Sequence, residues 1–139
     1  MKNINKLPPI TLHPDDRERL EALAQASMER FPQTAGYLAR EVERARTGKT
    51  DGESADFVRM GSTVAFRDDT TGQVREVTLT YPGRADIAAG RVSVLTPIGA
   101  ALIGLSKHQT ITWQTPGGDW RPLTVLTIGA PVSLETEPA

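Results

Sequence analysis

The stretch SMERFPQT, residues 27–34, is where side-chain type and spacing come nearest to metal chemistry in this chain. A divalent cation there would need several oxygen ligands, because a hard cation is held by oxygens whose charge balances its own. Residues 27–34 supply one carboxylate, Glu29, with the cation Arg30 beside it and the ring of Phe31 beyond. Pro32 and Gln33 add no further charge. This composition suits a turn that makes contacts better than a reactive tip.

Other residues with chemical potential have plainer uses. The two histidines, His13 and His108, lie far apart in sequence and have no carboxylate at ligand spacing. His13 is expected to begin a helix and His108 to sit in a loop. Asp15–Asp16 and Asp68–Asp69 are paired carboxylates, yet a helix start and a turn account for them. RTGKT, residues 46–50, imitates the end of a phosphate-binding loop, but Glu43 stands where that loop needs glycine. A helix stop at Gly48 explains the stretch better. Trp113 and Trp120 flank a turn and are expected to face each other across strands, in sheet packing or as a partner surface. No cysteine is present, which excludes disulfides and thiolate metal sites. No catalytic residue, metal site or cofactor is expected.

The elements that position these residues follow from periodicity. Leu20, Leu23, Ala24, Met28 and Phe31 keep the helical rhythm from Pro14, a good first helical residue. Pro32 is expected to close this helix. Ala35, Leu38, Val42 and Ala45 continue a second rhythm, with Thr34 as N-cap and Gly48 beyond its end. Two amphipathic helices so closely joined predict a short antiparallel hairpin, with arms of roughly 25 and 20 Å. Residues 51–56 read as a linker, dividing the chain into a hairpin segment 1–50 and a domain 57–139. In that domain, STVAFRD and VREVTLTY form one hairpin around DTTG, and QTITWQT and RPLTVLTI form another around PGGD. RVSVLT is a further strand, followed by one short helix, PIGAALIG, capped by Thr96. The expected class is α+β, with an antiparallel sheet and one short helix. The tail PVSLETEP is expected to fray.

Bulk properties are those of an ordinary globular chain: 139 residues, 38% hydrophobic, 24% charged, net charge −1. That balance gives no electrostatic case for direct, sequence-specific nucleic-acid binding. No apolar run approaches a membrane span and the start lacks a signal-peptide core, so a cytoplasmic location is expected.

GSTVAFRDDTTG, ADIAAGRVSVLTPIGAALIG, TPGGDW and LTVLTI, spread in order over residues 61–128, together resemble the C-terminal domain of the GreA/GreB elongation-factor family. The short hairpin and the start PPITLHPDDRERL resemble its Rnk branch most. The resemblance implies an FKBP-like fold behind the hairpin. It also implies binding to bacterial RNA polymerase at the rim of the secondary channel, with Pro97 and its neighbours Leu95, Thr96 and Ile98 as the docking segment. Leu95, expected to be exposed, stands where some relatives carry an acid. The family's usual Gly-Asp before the penultimate strand is His108–Gln109 here, so that turn is expected to be shaped differently.

The family's cleavage factors carry two tip carboxylates that help hold a second Mg²⁺ in the polymerase. With Glu29 alone and short arms, this chain is expected to be a non-catalytic competitor for the docking site. The alternatives are an active transcript-cleavage cofactor and an FKBP-type peptidyl-prolyl isomerase. The latter needs an aromatic-lined pocket from Phe57, Phe66, Tyr81, Trp113 and Trp120. The Rnk resemblance also suggests control of nucleotide metabolism, but no residue supports direct contact with a nucleoside diphosphate kinase, so any such effect is expected to be indirect, through transcription. The apolar face of the hairpin is covered either by the sheet or by self-association.

Overall fold

The computed structural model describes residues 7–48 and 57–129. The expected linker at 51–56 and the tail PVSLETEP lie outside the described residues. In chain order the elements are β1 (Thr11–Leu12), α1 (Pro14–Ala26), α2 (Pro32–Arg44), β2 (Arg46–Thr47), β3 (Thr63–Asp68), β4 (Val74–Thr80), β5 (Arg91–Ser93), α3 (Pro97–Leu102), β6 (Thr110–Gln114) and β7 (Trp120–Ile128). Two short 3-10 turns, Pro82–Arg84 and Ile87–Ala89, lie between β4 and β5.

His13 begins α1 as its N-cap: its Nδ1 accepts from the backbone N–H of Asp15 at 3.1 Å. Pro14 follows as the first helical residue, with Asp15 and Asp16 in the positive first turn. The helix stops at Ala26, about a turn earlier than its apolar rhythm predicts. Pro32 opens α2 instead of closing α1, and Thr34 lies inside α2 while Phe31 is the N-cap. A proline's fixed φ and missing N–H fit a helix start as well as they follow a helix end, so periodicity alone could not choose. Met28 and Phe31 therefore leave the apolar stripe and stand exposed. Each helix has 13 residues and is about 20 Å long.

Gly48 is not a helix stop either, because α2 ends at Arg44. Arg46 and Thr47 pair in parallel with Thr11 and Leu12, and the Gly48 N–H donates to the Leu12 carbonyl at 3.0 Å. A Cβ at Gly48 would lie 2.7 Å from Thr11 Cγ2, so close approach is what the glycine permits. Two-residue strands are too short to show a period of two, which is why the sequence hid them.

The main sheet has the order β5-β4-β3-β7-β6. Both predicted hairpins are present as antiparallel pairs, β3 with β4 and β6 with β7. The sheet is mixed, not purely antiparallel, since β5 runs parallel to β4 with Thr78, Leu79 and Thr80 opposite Arg91, Val92 and Ser93. The fold class is α+β. Side-chain alternation is the same in parallel and antiparallel strands, so strand direction was invisible beforehand. RVSVLT is a strand only as far as Ser93 and turns from there.

One buried cluster spans helices and sheet: Leu20, Leu38 and Val42 belong with Phe66, Leu102, Ile103, Leu123 and Val125. Ile10 and Leu12 join it ahead of α1. Buried polar groups pin the helices in place. Asp16, 6% exposed, accepts from Arg59 Nε at 3.1 Å and from the Met60 N–H at 3.2 Å. Glu41 is held bidentately by Arg44 at 2.8 and 2.9 Å, and Arg44 donates onward to the Pro8 carbonyl at 2.6 Å. Arg17 reaches the Ala45 carbonyl at 3.0 Å. Among the described residues, no helix is long and apolar enough to cross a membrane.

His108 has φ of 74°, in the left-handed region that favours glycine. Its N–H bonds the Val125 carbonyl at 2.7 Å, and Gln109 Oε1 accepts from the Ser106 N–H at 2.9 Å. The turn thus holds histidine in a glycine conformation, and His108→Gly is expected to stabilise the protein. Release of left-handed strain, roughly 1–2 kcal/mol, exceeds the extra chain entropy glycine loses, leaving about 0.5–1 kcal/mol. Thermal unfolding of the variant against wild type checks this, with a higher Tm expected.

Candidate interaction site

The segment Leu95–Ile98, expected to dock, is built by a turn that ties itself together. Leu95 N–H donates to Ser93 Oγ at 2.9 Å, and Thr96 Oγ1 donates to the Ser93 carbonyl at 2.6 Å. Thr96 then caps α3, its Oγ1 accepting from the Gly99 N–H at 3.1 Å. Gly99 makes the turn so tight: a Cβ there would overlap the Ser93 carbonyl oxygen and lie 2.9 Å from Val94 Cα. Pro97 is exposed at the first position of α3. Leu95, expected to be exposed, is half-buried and packs with Ile98 against the core. Pro97 is the open part of the segment, and Leu95→Asp carries a cost in packing that Pro97→Ala does not.

Glu29, Arg30 and Phe31 are exposed in the connection between α1 and α2, with the Arg30 guanidinium 5.4 Å from the centre of the Phe31 ring. Pro32 and Gln33 form the first turn of α2. Among the described residues, no three His, Asp or Glu side chains gather as a metal site. Asp68 and Asp69 are engaged otherwise. Asp68 accepts from the N–H groups of Thr70 and Thr71 and from Arg121, and Asp69 accepts from Arg67 and Thr124. For both carboxyls desolvation works upward, but these donors outweigh it and hold the pKa below the ordinary 3.8.

Of the two predicted sets, Pro32 and Gln33 from one and Pro97 from the other line a common cleft, while Glu29, Arg30, Phe31, Leu95, Thr96 and Ile98 do not. A cleft of about 430 Å³ lies where the start of α2 meets the start of α3 and the β6–β7 turn. Pro32, Gln33, Tyr37 and Arg40 form the α2 wall, and Pro97 with Ala100 the α3 wall. Trp113, Gln114 and Trp120 close the third side. The tryptophans are not opposite each other: Trp113 pairs with Arg121, and Trp120 with Gln114. Trp113 packs against the core, whereas Trp120 is 59% exposed. Burial, then the charge of Glu41, pushes the Tyr37 hydroxyl up to about 12. Tyr37 and Arg40 were not singled out by sequence. Their only signal was the i, i+4, i+7 spacing of Gln33, Tyr37 and Arg40 on one helical face.

Family-level comparison agrees along most of the chain. Residues 53–130 match the model described as transcription elongation factor, GreA/GreB, C-terminal, and residues 8–47 match the Rnk N-terminus. The chain is similar to the regulator of nucleoside diphosphate kinase of Escherichia coli K12, 35% identical over 119 residues, covering 86% of this chain and 88% of that protein. It is similar to transcription elongation factor GreA of Syntrophobacter fumaroxidans over a shorter stretch, 45% identical over 58 residues, or 42% of this chain and 37% of that factor. Among solved structures, a prokaryotic transcription elongation factor GreA/GreB from Nitrosomonas europaea superposes with a TM-score of 0.68 at 32% identity, covering 88% of this chain and 98% of that one.

Proposed function

From the fact that this chain belongs to the GreA/GreB elongation-factor family, with an Rnk-type N-terminus, we propose that it is a non-enzymatic regulator of transcription elongation that binds bacterial RNA polymerase at the secondary-channel rim. In this reading α1 and α2 are a short hairpin in front of an FKBP-like domain, and Leu95–Ile98 is the docking segment. The protein competes with transcript-cleavage factors for that rim and does not replace them.

The observation that carries the reading is the connection between the helices. It holds one carboxylate, Glu29, next to Arg30, at the end of arms only about 20 Å long. A second Mg²⁺ needs more oxygen charge than one exposed carboxylate beside a guanidinium provides. Docking without that chemistry leaves occupancy as the functional output.

The test is a titration against a GreA-type cleavage factor on backtracked elongation complexes. Added alone, the protein is expected to leave cleavage at its intrinsic rate. Added with the factor, it is expected to suppress cleavage to saturation, and excess factor should reverse the suppression. Pro97→Ala is expected to weaken competition while thermal unfolding barely moves, because the first helical position accepts many residues and the Thr96 cap remains. Suppression that no excess of factor reverses, or undiminished competition by Pro97→Ala, would exclude the shared docking surface.

A further inference from the structure

The main sheet ends on β5 at one side and on β6 at the other, and the two edges differ. β5 is closed by its own loop: Asp86 and Arg91 exchange main-chain bonds at 3.0 and 2.9 Å across an antiparallel bridge. β6 is paired on one side only, by β7. Two bonds that bracket β6 fix which of its groups point outward. The Val125 N–H donates to the Gln109 carbonyl at 3.0 Å, and the Thr115 N–H donates to the Asp119 carbonyl at 2.8 Å. Antiparallel pairing alternates, so Ile111 and Trp113 turn their main-chain groups to β7, and Thr110, Thr112 and Gln114 turn theirs away. Among the described residues nothing takes up those outward groups, and Thr110 and Gln114 are exposed. Edge strands are commonly guarded by a charged side chain or a proline. The sequence of β6, TITWQ, has neither, and it is rich in residues that favour strands.

We propose that β6 pairs antiparallel with β6 of a second copy of this chain, about a two-fold axis at Thr112, joining two sheets into one. A two-fold contact needs a surface that matches itself, and this strand does in that register. Thr112 lies opposite the second copy's Thr112, and Thr110 lies opposite its Gln114. Each such pair exchanges two main-chain bonds through the groups that face outward. Between them Ile111 meets the second copy's Trp113, a β-branched and an aromatic side chain on the core face. No charge of the strand faces a like charge, because the strand has none. Beyond the strand, charge favours the same match. Lys107 is exposed just ahead of β6, and the turn after it, residues 115–119, carries Asp119 as its one charge. Antiparallel pairing sends Lys107 of each copy toward the Asp119 end of the other. The strand is five residues long, so the interface is small and the dimer weak and concentration-dependent.

Sedimentation equilibrium of the full chain is expected to show monomer passing to dimer between roughly 10 µM and 1 mM. Thr112→Pro removes an N–H that β7 does not use, so Tm is expected to hold while the dimer is lost. Thr112→Lys sets two like charges opposite each other and is expected to raise Kd roughly tenfold or more. It serves as the second variant if proline disturbs the fold. Register is read by cross-linking, since the chain has no cysteine of its own. Across the axis the two Thr112 Cα atoms would lie about 5.5 Å apart, inside the disulfide range of roughly 4.4–6.8 Å. The two Thr110 Cα atoms would lie roughly 14 Å apart, four residues along at about 3.4 Å each. Oxidation is expected to join Thr112→Cys into a covalent dimer and to leave Thr110→Cys monomeric. The proposal is overturned if the wild type is still monomeric at about 1 mM. It is also overturned if either Thr112 variant, folded, associates like wild type, or if Thr110→Cys cross-links as well as Thr112→Cys. These assays contain no polymerase, so their failure leaves rim docking standing, and the competition assay above judges that separately.

Discussion

Asp16→Ala is expected to lower stability by about 3 kcal/mol, which for a chain of this size drops Tm by roughly 10 °C or more. The carboxylate is nearly buried and joins the first turn of α1 to the segment ahead of β3 through Arg59 and the Met60 N–H. Removing one member of a buried ion pair costs roughly 3–5 kcal/mol, because the other charge stays behind without compensation. The Arg59 side chain keeps 22% of its exposure, so water recovers part of that loss and the low end applies. The Met60 N–H adds its own cost, since no acceptor replaces the carboxylate oxygen. The double variant Asp16→Leu with Arg59→Met separates these contributions. It is expected to recover much of the loss by removing both charges, but not the share owed to the Met60 N–H. A loss below about 1 kcal/mol for Asp16→Ala in denaturant unfolding would place the pair among ordinary surface bridges.

Gly99→Ala is expected to cost as much or more, and to abolish polymerase competition as well. In an open helix the same change gains about 1 kcal/mol of propensity. Here the new methyl would overlap the Ser93 carbonyl oxygen and crowd Val94 Cα and Ser93 C at 2.9 and 3.0 Å. All three are backbone atoms, so no rotamer relieves them, and β5 and α3 must separate. Overpacking costs roughly 1–3 kcal/mol and more where the backbone has to move. The displaced turn carries Leu95, Thr96, Pro97 and Ile98, so the proposed docking segment moves with it. Gly36→Ala is the control: it lies within α2, its Cβ meets only Arg40 Nη1 at 3.6 Å, and a gain of up to about 1 kcal/mol is expected. Unfolding midpoints for the two variants should move in opposite directions. Wild-type stability in Gly99→Ala would show that β5 and α3 can separate at little cost.

Sequence by itself determined the local features of this protein. His13–Pro14 starts a helix, Thr96–Pro97 caps another, and DTTG and PGGD turn two hairpins, because each depends on atoms a few residues apart. The order of these motifs over residues 61–128 was also enough to point to the family, and the lone carboxylate Glu29 is composition, readable without any fold. Where a proline could serve two ends, as Pro32 could, short-range rules left the helix boundary open.

Only the tertiary structure decided the rest, since each remaining feature joins residues that sequence keeps apart. Thr11 meets Arg46, Thr78 meets Arg91, and Asp16 meets Arg59, and no periodicity announces a partner at that distance. Strand direction leaves no mark on side-chain alternation, and a close approach such as Gly99 against Ser93 exists only once two elements are packed. The cleft has the same origin. Tyr37, Pro97 and Trp113 come from three elements, and it is the burial of a common core beneath them that draws their walls together.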